Sequence, residues 1–157
     1  MGAIALRDPA IYSTLAFLQN AAGSVSQNAV VIAQVLQDSP HVLAVHYPGS
    51  SGHPQREIAL RQHRDGLGGG MVSFLIRGGN KAAKKFCETS QLFTLAESLG
   101  GVESLCELPA AMTHNGMPKA VREENGIYDN LIRLSIGIED GEDLKADLVQ
   151  ALERSSL

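Results

Sequence analysis

The chain has 157 residues, 44% hydrophobic and 19% charged, which suits one folding unit with a core of ordinary size. Its net charge of −4, with Lys and Arg scattered along the chain, gives no basic footprint and argues against a nucleic-acid partner. Apolar runs such as Ala29-Val-Val-Ile-Ala33 fall far short of the roughly 20 residues of a membrane span, so no membrane role is expected.

No charged leader precedes an apolar stretch. Leu6 stands where a myristoylation signal wants Ser or Thr, and the tail from Arg154 has no prenylation cysteine, so no lipid anchor is expected. Without a signal peptide or an Asn-X-Ser/Thr sequon, Cys87 and Cys106 are expected to be free structural thiols of a cytoplasmic protein.

Asp8-Pro9 caps and starts a helix carrying Ile11, Leu15 and Leu18 until Gly23. Ser26 caps a second, whose Ala29, Ile32, Ala33 and Leu36 recur on one face before Ser39-Pro40. Val42 to Tyr47 reads as a strand, the Gly- and Pro-punctuated 48–52 as a loop, and His53-Pro54 as the start of a polar helix closed by Gly66. Met71 to Ile76 is a strand ending in a Gly78-Gly79 turn, after which Asn80 caps a helix through Glu88. Short strands are expected near 93–95 and 103–107. Leu131 to Ile138 alternates with Arg133 and Ser135 on one face, and Asp140 or a neighbouring acid caps a last helix carrying Leu144, Leu148 and Leu152. The sum is an α/β fold, helices packed on a small, largely antiparallel sheet.

The glycines of Gly66-Leu-Gly-Gly-Gly70 do not make a dinucleotide fingerprint, because Met71 stands where glycine is required and no strand–turn–helix surrounds them. They read as a tight turn into a strand. The five histidines and two cysteines show no metal spacing, so no metal is expected. Arg133, on an apolar strand, needs an anionic partner: either a structural acid such as Glu97 or Glu103, or a ligand. Ser98, entering Leu99-Gly100-Gly101, suits hydrogen bonding to a ligand carboxylate, and equally suits an ordinary strand-ending turn.

Phe17-Leu-Gln-Asn20, Tyr47-Pro-Gly49, His53-Pro-Gln55, Gly69-Gly-Met71, Phe93 to Ser104, Met112-Thr-His114 and Leu131 to Asp140 follow one another in an order covering nearly the whole chain. In these segments the chain resembles the C-terminal part of the pyridoxal-phosphate enzymes of cysteine and methionine metabolism, above all their cystathionine-cleaving gamma-lyase branch. The resemblance implies an aspartate-aminotransferase-type fold (PLP fold type I). Residues 1–25 would be a remnant of the large cofactor domain, and residues 26–157 the C-terminal small domain with a shortened linking helix.

It also implies roles. Arg133 grips the substrate α-carboxylate, Ser98 helps hold it, and Thr113 lines the site. Glu97 meets the distal ammonium of cystathionine, where methionine gamma-lyases are apolar and cystathionine beta-lyases aromatic. The gamma-synthases share that Glu; Cys106-Glu-Leu-Pro109 looks more like eukaryotic lyases. The cofactor implied is pyridoxal 5'-phosphate and the assembly a homotetramer.

The matching region starts just after the family's Schiff-base lysine, and none of Lys81, Lys84, Lys85, Lys119 and Lys145 stands in its small-residue context. The phosphate-binding residues, the aspartate for the pyridine nitrogen and the stacking aromatic are missing too. At Gly23-Ser-Val-Ser26 several turns of the family's linking helix are absent. The expectation is a fragment that is catalytically incompetent by itself; the alternative is a noncatalytic amino-acid-binding or docking module.

Overall fold

The computed structural model describes residues 7–11, 13–14, 24–63 and 66–156. At its start Asp8 Oδ1 accepts from the N–H groups of Ala10 (2.8 Å) and Ile11 (3.4 Å), a helix cap as expected. Leu15, Leu18 and Gly23 lie outside the described residues.

Helix α1 runs Ser24–Asp38, so Ser26 sits inside its first turn and not at the cap. Ala29, Ile32, Ala33 and Leu36 form its buried stripe. Strand β1 (Val42–His46) is followed by α2 (Arg56–Gln62), which begins later than His53-Pro54 suggests. Strand β2 is Met71–Ile76 as read. Helix α3 (Gly79–Thr89) starts from Gly78, whose φ of 87° only glycine adopts easily; Asn80 is not the cap, and its Nδ2 donates to Asp129 O instead. Then come β3 (Thr94–Leu95), β4 (Leu105–Glu107), α4 (Lys119–Glu124), β5 (Leu131–Ser135) and α5 (Gly141–Ser155). Helix α4 had no apolar period to announce it. Asp140 does cap α5, accepting from Glu142 and Asp143 N–H.

The five strands lie in the order β1-β2-β5-β4-β3, antiparallel except for the β3/β4 pair. Alternation divides the sheet into two faces. Val72, Phe74, Ile76, Cys106, Ile132 and Leu134 form the core face, beneath the buried stripes of α1, α3 and α5. Phe74 meets Phe86 of α3 edge-on, with centroids 5.5 Å apart. Two buried polar side chains stitch these layers. Asn28 of α1 donates to Gly137 O (3.1 Å) and Glu139 O (2.8 Å), fixing the exit of β5. Asp147 of α5 accepts from the backbone of Gln91 and Leu92, which positions the approach to β3.

The 66–70 glycines work as a close approach. Tyr47, 1% exposed, accepts from Gly68 N–H and donates to Gly69 O. A Cβ on Gly68 would lie 2.4 Å from the backbone nitrogen of Gly49 and 2.7 Å from the Tyr47 ring. Gly68→Ala is therefore expected to cost about 2 kcal/mol, as overpacking against backbone does, and a urea melt reads it directly. Gly69→Ala meets no neighbour and carries only the strain of its φ of 81°.

Candidate functional site

The second face of the sheet carries the polar residues. Register places His46 of β1 beside Ser73 of β2, Ser73 beside Arg133 of β5, and Arg133 beside Glu107 of β4, one polar row across four strands. Arg133 donates from Nη2 to Glu107 Oε2. The Glu107 side chain is fully buried, that of Arg133 36% exposed. The turn after β4 brings Thr113 over the pair, and its hydroxyl donates to Glu107 Oε1 while contacting His114 Nδ1 at 2.8 Å.

The acid that partners Arg133 is thus Glu107; Glu97 and Glu103 are both exposed and take no part. Glu107 is the direct register partner of Arg133 on the neighbouring strand, 26 positions away in sequence, and a reading along the chain does not show which strands pair. The pair leaves something over. Arg133 Nε is buried and has no partner among the described residues. Glu107 holds one end of a planar fork and leaves another donor for an anion.

The buried arginine, Arg122, behaves differently. Arg122 of α4 gives Nη1 to Ile127 O (2.8 Å) and Nη2 to Asp129 Oδ1 (2.6 Å). Lys119, then Arg122, hold the Asp129 carboxyl below the ordinary aspartate range. That cluster is closed on itself and reads as structural.

The structure joins Arg133 and Thr113 through Glu107, and does not hydrogen-bond Glu97 or Ser98 to them. Both of the latter are exposed, on the stretch after β3. That stretch is pinned to the same face: Gly100, at φ 108°, donates its N–H to Ser135, two residues beyond Arg133. Sequence reasoning missed Glu107. The signal was a charged residue inside the apolar Leu105–Leu108 run, paired by register with the one cation in β5.

Neither cysteine lies in the arginine row; Cys106 is in the core and Cys87 packs against it. Both are free, and the Cys87 thiol, hydrogen-bonded to Cys106 and shielded from water, is pushed well above the usual thiol range. No lysine joins the arginine cluster. Lys119 bonds Asp129, Lys145 pairs with Glu142, and Lys81, Lys84 and Lys85 project from α3 on the other side of the sheet. Among the described residues the row thus has one guanidinium donor left over and no lysine amine beside it.

The family pattern described as Cys/Met metabolism PLP-dependent enzyme matches residues 15–153. The chain belongs to this family. It is 45% identical to cystathionine gamma-lyase of Saccharomyces cerevisiae over 99% of its own length and 46% of that enzyme's. Superposed on the crystal structure of the yeast enzyme it gives a TM-score of 0.83, over 98% of this chain and 45% of that one. Cystathionine beta-lyase of Lactococcus lactis is 44% identical over 98% of this chain and 46% of its own length. Cystathionine gamma-synthase from Xanthomonas oryzae, solved with cystathionine, matches with a TM-score of 0.78 at 45% identity, over 84% of this chain and 34% of that one.

The relatives named above are lyases and a synthase of this pyridoxal-phosphate-dependent family, and the fold of this chain is an α/β portion of fold type I. The chain spans less than half the length of these relatives. The yeast alignment runs over 180 positions against 157 residues, so residues present in that enzyme are missing from within the aligned stretch of this chain. The family's cofactor is pyridoxal phosphate; the lysines described above do not fit its covalent attachment, so no chemical step through it is derived from this chain. Among the described residues no helix is long and apolar enough to cross a membrane.

Proposed function

We propose that this chain is the substrate-recognising small domain, residues 26–157, of a cystathionine gamma-lyase, and that by itself it binds the amino acid without cleaving it. The complete enzyme would convert L-cystathionine to cysteine, 2-oxobutanoate and ammonia. The observation that carries the reading is the buried Arg133 Nε without a partner beside an Nη2 already fixed on Glu107. An orphaned buried N–H costs about 1–3 kcal/mol, which a substrate carboxylate oxygen recovers on binding. Thr113 steadies Glu107, and Ser98 and Glu97 stand free on the stretch pinned beside Arg133, one for the carboxylate and the other for the distal ammonium.

Calorimetric titration of the chain with L-cystathionine tests this. Binding in the millimolar range is expected, weakened about tenfold by Arg133→Lys, which keeps the charge on Glu107 and loses the planar fork. Glu97→Gln should weaken cystathionine and leave norleucine, which has no distal ammonium, unchanged. Equal affinity in wild type and Arg133→Lys overturns the reading.

A gamma-synthase reading uses the same recognition residues and is supported by the 45% identity to the Xanthomonas oryzae enzyme solved with cystathionine. Replacing the matching half of the yeast enzyme with this chain separates the two. Release of 2-oxobutanoate from cystathionine supports the lyase, and joining of cysteine to an activated homoserine supports the synthase.

A further inference from the structure

On the helical side of the sheet, opposite the arginine row, an open cavity of about 730 Å³ lies between the start of α3, the β1 approach and the end of α5. Arg77, Lys81, Lys84 and Lys85 line it, with His41; the one carboxylate on its wall is Glu88. In a chain of net charge −4 this is a local surplus of cations.

We propose that this cavity binds a small, multiply charged phosphate ester, at a site separate from the Arg133 face. Three observations converge. The cations are uncompensated: among the described residues the ion pairs are those of Lys119, Arg122, Arg133 and Lys145, and none involves the four that line the cavity. Lysines 81, 84 and 85 fall on one face of α3 at spacings of three and four, so their charges repel one another and favour a shared counter-ion.

Arg77 is held in place. Its Nε donates to Pro40 O at 2.8 Å and its backbone N–H to His41 O at 2.8 Å, which leaves both terminal nitrogens for a ligand. A fixed guanidinium fork favours phosphate oxygens over a single-point counter-ion. Finally, α3 opens at this wall from Gly78, with no side chain capping its first N–H groups. The C-terminal end of α5, at Ser155 and Ser156, brings the opposite end of a helix dipole to the same wall, so it is the side-chain cations that give the cavity its sign. The volume is that of a small-molecule site and exceeds what a single phosphate fills, which points to an ester carrying an organic group.

Titration of the full chain with inorganic pyrophosphate at low salt tests the proposal. Sub-millimolar binding is expected, with citrate, a carboxylate anion of similar charge, at least about tenfold weaker. Lys84→Gln and Lys85→Gln, both on exposed positions of α3, should each weaken pyrophosphate roughly threefold to tenfold, and Arg77→Lys should remove the preference over citrate. Lys145→Gln, at a half-exposed cation of α5 that pairs with Glu142 and does not line the cavity, should change nothing. No binding, or an equal loss in Lys145→Gln and Lys84→Gln, overturns the site; equal affinity for citrate overturns its phosphate selectivity. None of these readouts depends on cystathionine binding, so this site and the arginine row stand or fall separately.

Discussion

Arg133→Ala is expected to destabilise the fold by about 3 kcal/mol, because it strands a fully buried carboxylate in the middle of the sheet. Glu107 would keep the Thr113 hydroxyl and lose the one cation paired with it among the described residues. The loss should therefore exceed what truncating a one-third-exposed side chain usually costs. The double variant Arg133→Leu/Glu107→Leu should recover most of it, ending within about 1 kcal/mol of wild type, since a well-packed apolar pair often replaces a buried ion pair at little cost. Urea melts of the two single variants and the double give the coupling directly. Additive losses would mean that the two residues do not act as a pair. The double variant should at the same time bind no amino acid, which separates the structural half of the Arg133 role from the ligand half.

Asp147→Ala is expected to cost a similar amount, about 3 kcal/mol, for a different reason. Its carboxylate accepts from the N–H groups of Gln91 (2.9 Å) and Leu92 (2.8 Å), from the Ser90 hydroxyl (2.8 Å) and from Gln150 Nε2 (2.8 Å). Alanine leaves the backbone donors of a turn without acceptors and frees the approach to β3, and with it the stretch carrying Glu97 and Ser98. The same carboxylate makes the fold acid-sensitive. Burial pushes Asp147 up, but the bonds from Leu92, Gln91, Ser90 and Gln150 outweigh it, and its pKa lies below the ordinary aspartate value. A carboxyl whose folded pKa is depressed stabilises fully above its unfolded value, and that contribution disappears as pH falls through the folded one. Wild type should thus lose more stability between pH 7 and pH 3 than Asp147→Ala; parallel losses would contradict the assignment.

The elements that could be read in the sequence were those whose signal is local. The α1 stripe, strand β2 with its period of two, and the Asp140 cap of α5 each depend on residues a few positions apart. Boundaries slipped where tertiary bonds compete with local ones. Ser26 looked like a cap, yet α1 starts two residues earlier and is held at Asn28 by bonds to the segment after β5. Asn80 looked like a cap too, and spends its side chain on Asp129 O, 49 positions away. Helix α4 was missed because its buried residue is Arg122, a cation that hydropathy counts as surface.

By itself the sequence determined the family, the class of fold and the identity of the residue that needs an anion, because a cation in an alternating apolar strand has to be compensated. Only the tertiary structure decided what compensates Arg133. Strand register set Glu107 beside it and left Nε over, and register depends on which strands pair, information spread across the whole sheet. The same holds for the lysines of α3: only the fold sets Arg77 and the ends of two helices around one open cavity with them. Charge along a chain is a one-dimensional fact; whether it is compensated is decided in three.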